Sequence, residues 1–286
     1  MLMQRVLTAI ILLTCLILLS VFSSPFVFAV LTAILTLLGA LEWTRFIGAR
    51  AYWVRVMYLL GIAILLAGAS IFLSVTPTAE SLDTSRVVTM MFLACIFWVM
   101  ALNLMIGYPA NSHSWNKQTY IALMGVFVLI PTWCGIVQLK YIDSTGVLFL
   151  MLVATVSIAD IGAYFIGRTW GQSRLAPMLS PGKSWAGFWG GILSSVSFIA
   201  VAVVLANGRM VELDMLGAML VIIGAVLISV SSVAGDLFES MLKRNRQLKD
   251  SGNILPGHGG ILDRIDSLTA ATPIAVLWMT LLIEVG

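Results

Sequence analysis

The sequence predicts an all-α, polytopic integral membrane protein with about nine transmembrane helices and a cytoplasmic N-terminus. Of its 286 residues, 60% are hydrophobic and only 10% are charged, and the mean hydropathy is +1.04. A soluble domain carries about 25% charged residues. One membrane crossing takes about 20 apolar residues, so the length accommodates about nine or ten short-looped helices. We therefore expect a single transmembrane domain over residues 1–286.

Nine apolar windows predict these helices in order along the chain. The first follows Arg5, its only charge, and no small-x-small cleavage site precedes the next window, so we expect a retained helix and not a signal peptide. Cys15, Cys95 and Cys134 lie inside apolar windows without CxxC spacing, which indicates buried thiols. The predicted spans are residues 6–22, 25–43, 57–76, 87–108, 120–138, 146–168, 187–206, 215–235 and 267–284.

The loops between these helices carry their basic residues unevenly. With a cytoplasmic N-terminus, 13 of the 16 Lys and Arg residues lie inside, and only Arg86, Lys140 and Arg209 lie outside. Such a bias over short loops sets the orientation of a membrane protein. We therefore expect two long polar loops, 169–186 and 236–266, to face the cytoplasm. The net charge of +3 is too small to indicate a nucleic-acid partner.

Residues 44–56 combine Arg45, Arg50 and Arg55 with three aromatic side chains. This composition is typical of a helix that lies at the membrane surface against anionic headgroups. A plain positive-inside anchor explains the same arginines equally well, so both interpretations stay open.

Asp160 lies near the end of the sixth predicted span. A carboxylate at that depth is costly, and by default it faces a polar cavity. Asp160, Tyr164 and Gly167 share one helix face, and the small residues around them allow a second helix or a ligand to approach closely. The alternative is an acid that pairs with a buried base for helix packing. No basic residue lies inside the predicted spans, so we favour a functional role.

Residues 180–191, SPGKSWAGFWGG, lead into the seventh span. The triplet that starts at Ser180 predicts a turn, and Ser184 can cap the helix that follows. Helix N-terminal N–H groups beside Lys183 are suited to binding phosphate. The glycine that a P-loop requires five residues before its GK pair is missing, which excludes a Walker A motif. A turn with an anchoring lysine is the alternative.

The last polar loop, residues 235–266, holds five of the 16 basic residues, five of the 13 acidic residues and one of the two histidines. Asp236, Ser240 and Lys243 share one face of a helical extension of the eighth span. Asp263 and Asp266 share a face at the start of the ninth. Carboxylates from two helix ends supply the oxygen ligands that Mg²⁺ prefers, so we expect Mg²⁺ as cofactor.

The middle of this loop is typical of phosphate binding. Metal bridging, charge neutralisation and exposed amides are what phosphoryl or nucleotidyl transfer requires. A positive-inside cluster and a histidine bonded to backbone are the alternatives. Four bases can neutralise phosphate: Lys243, Arg244, Arg246 and Lys249. A turn around His258 exposes backbone N–H groups, and comprises Pro256, Gly257, Gly259 and Gly260.

One run of this loop resembles the signature of a known family. SMLKRNRQLKDSGNILPGHGGILDRID, from Ser240 to Asp266, is similar to that of the phosphatidate cytidylyltransferases (CDP-diacylglycerol synthases) in the spacing of KR, KD, PGHGG and DRxD. The DxGAY motif at Asp160 and SPGKSWxG over residues 180–187 also resemble that family, although Ala186 stands where many relatives have Glu. The resemblance is carried by residues 157–271.

The resemblance implies an integral membrane enzyme that joins CTP and phosphatidic acid to give CDP-diacylglycerol and pyrophosphate, with Mg²⁺. Residues 1–140 would be N-terminal membrane helices and residues 141–286 the catalytic part. The expected partners are the two substrates and membrane lipids, and a homodimer is an allowed assembly. The expected location is a bacterial-type inner (plasma) membrane, with the active site facing the cytoplasm.

Residues and resemblance together predict a mechanism in which the lipid phosphate attacks the α-phosphorus of CTP in line and no protein nucleophile takes part. The expected metal ligands are Asp236 and Asp263, with Asp160 or Asp266 completing the shell. The expected catalytic residues are Asp236, Asp263, Lys243, Lys249, Asp250 and Asp160. The expected substrate-binding residues are Ser180, Lys183, Ser184, Ser240, Arg244, Gly257, His258, Gly259, Gly260 and Arg264.

Two other functions compete with this prediction. A lipid kinase acting on a polyprenol would leave a nucleoside diphosphate, whereas a cytidylyltransferase releases pyrophosphate. A transporter of anionic phosphate compounds would place its charged site near the bilayer midplane, between two similar halves. In this sequence the charges gather at one edge and the halves are dissimilar, which argues against transport.

Overall fold

The computed structural model describes residues 2–206 and 214–285, with side chains over residues 6–206 and 214–283. The elements run α1 (Leu2–Phe22), α2 (Pro25–Ile47), α3 (Tyr52–Phe72), α4 (Thr84–Ile106), α5 (Ser112–Trp115), α6 (Gln118–Ile142), α7 (Val147–Trp170), β1 (Arg174–Ala176), β2 (Ser180–Ser184), α8 (Trp185–Ala206), α9 (Met215–Asn245) and α10 (Leu262–Val285). The all-α prediction is confirmed, with one small hairpin added.

Within the described residues, eight helices are long and apolar enough to cross a membrane: α2, α3, α4, α6, α7, α8, α9 and α10. The apolar part of α1, Val6–Phe22, is shorter than the others. Large apolar side chains such as Ile64 and Ile71 are exposed on the outer helix faces, where a bilayer would cover them. The chain is therefore a multi-pass membrane protein.

Local sequence signals account for several helix ends. Ser24 accepts a hydrogen bond from the backbone of Val27 at the start of α2, and Pro25 occupies the first helical position. Gly48 ends α2 with a φ of 75°, the left-handed conformation that favours glycine. Asp214 caps α9 through the backbone N–H of Gly217 at 2.7 Å.

The helix α6 lies at the centre of the bundle, with two thirds of its apolar stretch buried. It contacts α2, α3, α4, α7 and α10. Trp133, on this helix, donates its indole N–H to the carbonyl of Ala29 on α2 at 3.0 Å. The rest of the bundle includes two closely packed helix pairs, α7 with α8 and α9 with α10. These two pairs, with the segments that join their helices, carry the predicted site residues.

The structure gives definite positions to two segments that carry basic residues. Of the two interpretations of residues 44–56 that the sequence leaves open, the anchor is favoured over a separate surface helix, because α2 continues to Ile47 and α3 begins at Tyr52. Lys140 lies in the last turn of α6, fully buried, where Nζ donates to the carbonyls of Ser20 and Ser144. Arg209, the third residue predicted outside, lies in 207–213, outside the described residues.

Candidate functional site

The site residues gather where α2, α7 and α9 end and where α8 and α10 begin. The hairpin of β1 and β2 joins α7 to α8 there, and residues 246–261 join α9 to α10. The N-terminal helix reaches the same end of the bundle, because Thr8 donates its hydroxyl to the carbonyl of Pro256 at 3.2 Å. The predicted turn at Ser180 is wrong: residues Ser180–Ser184 form strand β2, paired antiparallel with β1.

A cavity of about 410 Å³ opens between α7, the hairpin, α8 and α9. Asp160 and Tyr164 line it from α7, Lys183 and Ser184 from the hairpin, and Asp236 from α9. The predicted shared face of Asp160 and Tyr164 is therefore turned towards a cavity. Asp160 lies within electrostatic range of both Lys183 and Asp236.

Lys183 and Asp236 form an ion pair across this cavity. Lys183 Nζ lies 2.6 Å from Asp236 Oδ2, and both side chains are about three-quarters buried. Asp236 Oδ1 accepts the hydroxyl of Ser240, one helical turn further along α9, at 3.2 Å. The predicted spacing of this face is confirmed, because α9 stays helical to Asn245. The ion pair joins the hairpin to α9.

Small residues bring α7 and α8 together beneath the cavity. A Cβ on Gly187 would lie 2.7 Å from the carbonyl oxygen of Ala163, and one on Gly191 would lie 2.7 Å from that of Ala159. The two backbones are therefore closer than any larger side chain allows. Ser184 accepts the backbone N–H of Gly187 at 3.1 Å, which confirms the predicted cap of α8.

A second ionic cluster lies two turns further along α9. Lys243 Nζ lies 3.2 Å from Glu239 Oε1 and 2.8 Å from Asp263 Oδ1. Glu239 is only 4% exposed, and the side chains of Lys243 and Asp263 are more than four-fifths buried. The single ammonium therefore lies between two carboxylates, which bonds α9 to the first turn of α10.

The other oxygen of Asp263 is held by the loop that precedes α10. Asp263 Oδ2 accepts the backbone N–H of Ser251 at 2.9 Å, the Ser251 hydroxyl at 2.9 Å and the backbone N–H of Gly260 at 2.8 Å. A carboxylate with this many donors is held in one orientation. The loop therefore sets the direction in which Asp263 presents Oδ1 to Lys243.

The remaining predicted ligands have fewer contacts in the described chain. Lys249 and Asp250 are exposed in the loop between α9 and α10. Arg244 donates to the carbonyl of Leu179 in the hairpin at 3.4 Å. Arg264 donates through Nε and Nη2 to the carbonyl of His258 at 3.1 and 2.7 Å.

The glycine-rich turn itself is partly confirmed in shape. Gly257 and Gly259 have φ values of 76° and 81°, a conformation that favours glycine. The loop closes on itself, because Leu255 and Gly259 form an isolated bridge. The backbone N–H of Gly260 donates to Asp263, so this amide is already bonded within the chain. His258 Nδ1 is buried without a hydrogen-bond partner among the described residues.

The predicted metal ligands fall into a cavity group and a loop group. Asp236 lies at the cavity with Asp160, and Asp266 lies within electrostatic range of Asp236. Among the predicted metal ligands, Asp263 accepts the most hydrogen bonds from groups of the described chain. Over the part of the chain that the structure describes, no three acidic, histidine or cysteine side chains form a ready metal cage. Nucleotide enzymes hold Mg²⁺ with one or two carboxylates plus substrate phosphates, and Asp236 with Asp266 fits that donor chemistry.

Sequence reasoning missed the contribution of α2. Arg45 donates to the carbonyl of Ser251 at 2.5 Å, and Glu42, 3% exposed, accepts bonds from the same loop. Arg246 binds back to the end of α2, donating to the carbonyls of Phe46 at 2.6 Å and Ile47 at 3.2 Å. Burial lowers the pKa of the Arg246 guanidinium. The signal that could have indicated this role of α2 was Glu42 itself, an acidic residue inside an apolar predicted span.

Comparison with known proteins gives matches over nearly the whole chain. A sequence profile described as "Cytidylyltransferase family" matches residues 3–282. The chain is 39% identical over 285 residues to the phosphatidate cytidylyltransferase of Pseudomonas aeruginosa, covering 97% of each chain. It is 37% identical over 286 residues to that of Haemophilus influenzae, covering 96% of each. The Bacillus subtilis protein of the same name is 34% identical over 165 residues, 57% of this chain and 58% of its own.

Proposed function

This chain belongs to the cytidylyltransferase family and is a nucleotidyltransferase, and we propose that it transfers the cytidylyl group of CTP to phosphatidic acid, releasing pyrophosphate and forming CDP-diacylglycerol. The names of its relatives in Pseudomonas aeruginosa and Haemophilus influenzae support the choice of substrates. The structural observation that carries the proposal is the two lysine–aspartate contacts that α9 makes, one at the cavity and one two turns further along the helix.

These contacts provide the charges that two phosphate-bearing substrates need. Lys183 lies at a cavity wall next to the capped N-terminus of α8, where helix N–H groups favour anions. Lys243 lies two turns away on the face that also carries Ser240. We assign CTP phosphates to Lys183 and the lipid phosphate to Lys243, with Lys249 and Arg244 at the open edge.

The proposed reaction is an in-line displacement. A bond forms between a phosphate oxygen of phosphatidic acid and the α-phosphorus of CTP, and the bond from that phosphorus to the β-phosphate bridging oxygen breaks, with its electron pair leaving on pyrophosphate. The lipid phosphate is already ionised at neutral pH, so no protein base or nucleophile is required. The residues position two anions and neutralise their repulsion, which is the main task in this chemistry.

Mg²⁺ is part of the proposal. Asp236 and Asp266 would hold it at the cavity, with Asp160 and Asp263 completing the predicted set. When bound, such an ion supplies charge to the phosphate oxygens on which negative charge develops. The ion pairs of Lys183 and Lys243 keep both lysines at the edges of this acidic group.

We also place the site at the cytoplasmic face of a bacterial inner membrane, where CTP is available. The strong inside bias of the basic residues supports this orientation. The proposal allows a homodimer, and a measurement of the mass of the purified protein in detergent tests this assembly.

The experiment uses the purified full chain in detergent with phosphatidic acid, labelled CTP and Mg²⁺. We expect labelled cytidine in the lipid extract, an equal amount of pyrophosphate and loss of both on chelation. Consumption of CTP or ATP with a polyprenol, leaving a nucleoside diphosphate, would replace the proposal with a lipid kinase. No turnover with any nucleotide would overturn the proposal and favour transport.

A further inference from the structure

Glu42, near the end of α2, is a buried acid that forms no ion pair with a base among the described residues. It lies on α2 with 3% of its surface exposed, and three donor groups of the chain lie within hydrogen-bond distance of its carboxylate. Oε1 accepts the backbone N–H of Ile261 at 3.0 Å. Oε2 accepts the backbone N–H of Leu262 at 2.9 Å and lies 3.1 Å from the hydroxyl oxygen of Ser251, whose single proton it shares with Asp263 Oδ2. All three donors belong to the loop before α10 or to the first residue of that helix.

The surroundings of Glu42 are shaped for a carboxylate. The N–H groups at the start of α10 have no partners within their own helix and carry partial positive charge, so an anion is stabilised there. Gly252 and Gly260 make room for it, because a Cβ at either position would collide with the Glu42 carboxylate. A larger residue at either glycine would push the carboxylate away from α10.

Ser251 connects Glu42 to the ionic cluster. Its hydroxyl lies 2.9 Å from Asp263 Oδ2 and 3.1 Å from Glu42 Oε2, and its carbonyl accepts the Arg45 guanidinium at 2.5 Å. Glu42 and Arg45, nearly one turn apart on α2, therefore hold Ser251 from two sides. Ser251 in turn holds Asp263, which binds Lys243.

We propose that Glu42 is a positioning residue for the Asp263–Lys243 pair: from α2 it fixes the loop before α10, and so sets the orientation in which Asp263 presents Lys243 to phosphate. This inference rests on the proposed function of that cluster. Glu42 itself is enclosed by protein and reaches the reaction only through Ser251 and the start of α10.

The test is Glu42→Gln in the purified full chain. Glutamine has nearly the same size, but its NH₂ group faces a backbone N–H or the Ser251 hydroxyl, so at least one donor loses its acceptor. We expect kcat per folded protein to fall about 10- to 100-fold, the range seen when a supporting hydrogen-bond partner is removed. We also expect faster hydrogen–deuterium exchange at Ser251, Ile261 and Leu262.

Thr36→Val is the matched control on the same helix. Thr36 is buried, and among the described residues its hydroxyl bonds only to the carbonyl of Thr32 within α2. We expect this variant to keep the wild-type kcat and the wild-type exchange of the loop.

Ser251→Ala provides a second readout. If Glu42 acts through Ser251, the combined variant with Glu42→Gln should lose less kcat than the product of the two single losses. Fully multiplicative losses would overturn the proposal, as would wild-type kcat and exchange in Glu42→Gln. A wild-type protein that makes no CDP-diacylglycerol would instead remove the proposed function, while the exchange result would still report whether Glu42 holds the loop.

Discussion

Lys183 Nζ on strand β2 lies 2.6 Å from Asp236 Oδ2 on α9, although no pattern in the sequence predicts that these two residues meet. The pair bridges two segments for which the sequence predicts phosphate binding, the hairpin and the end of α9. It also borders the cavity that Asp160 lines. Lys183 supplies the positive charge of this pair.

Replacing Lys183 with Met should lower kcat/KM for CTP about 10²- to 10³-fold, because a charge directed at developing phosphate charge is removed. Steady-state rates at varied CTP and fixed phosphatidic acid measure this. Lys117→Met is the control, since Lys117 is exposed at the start of α6 and its ammonium contacts only the Tyr120 ring among the described contacts. A Lys183→Met enzyme with near wild-type kcat/KM would contradict the assignment of CTP to this lysine.

Asp236→Asn should reduce turnover to background, roughly 10³-fold or more, because the change removes the anionic ligand that hard cations require and the partner of Lys183. Turnover should not recover at high Mg²⁺ concentration. The matched change Asp143→Asn lies in the α6–α7 loop at the other end of α7, so it should retain kcat. Activity close to wild type in Asp236→Asn would remove Asp236 from the predicted metal site.

Lys243→Met should lower the free energy of unfolding by about 3–5 kcal/mol, because it leaves the buried Glu239 and Asp263 without their shared cation. Denaturant unfolding in detergent micelles, followed by tryptophan fluorescence, measures the loss. Adding Glu239→Gln to Lys243→Met should recover part of it, since one uncompensated charge is then gone. Equal stabilities for Lys243→Met and wild type would show that the cluster contributes nothing to folding.

Gly191→Ala should destabilise the protein by about 1–3 kcal/mol, because its methyl group would lie 2.7 Å from the carbonyl oxygen of Ala159 and force α7 and α8 apart. Gly68→Ala on α3 makes the same chemical change at a position where no atom lies within 4 Å of the added methyl group. Its melting temperature should therefore be unchanged or slightly higher. Similar melting temperatures for the two variants would contradict the close packing of α7 on α8.

Features that depend on neighbours along the chain were predictable from the sequence. Asp236, Ser240 and Lys243 share a face because α-helical spacing places them there, and Ser184 caps α8 three residues from its partner Gly187. The apolar windows predicted nine spans, and eight helices of the described chain are long and apolar enough to qualify, because the length of an apolar run can be read from the sequence.

Features that depend on distant contacts were missed. The strand at Ser180–Ser184 exists because it pairs with β1, and its S-P-G start predicted only a turn. Lys140 is buried because α1 and the following loop supply carbonyl groups, information that its own surroundings in sequence do not contain. Glu42 has partners 209 to 220 residues away, and no periodicity could reveal them.

The separation between Glu42 and Ile261, 219 positions, has a consequence for biosynthesis. At a synthesis rate of about 5–20 residues per second, the acid of α2 waits on the order of 10 to 40 s before the ribosome produces the amides that it binds. Glu42 therefore enters the bilayer early, without its final partners, and the loop before α10 assembles only when the last helix docks. A chain stalled before α10 would hold every lysine of the proposed site and still lack the support that orients Lys243.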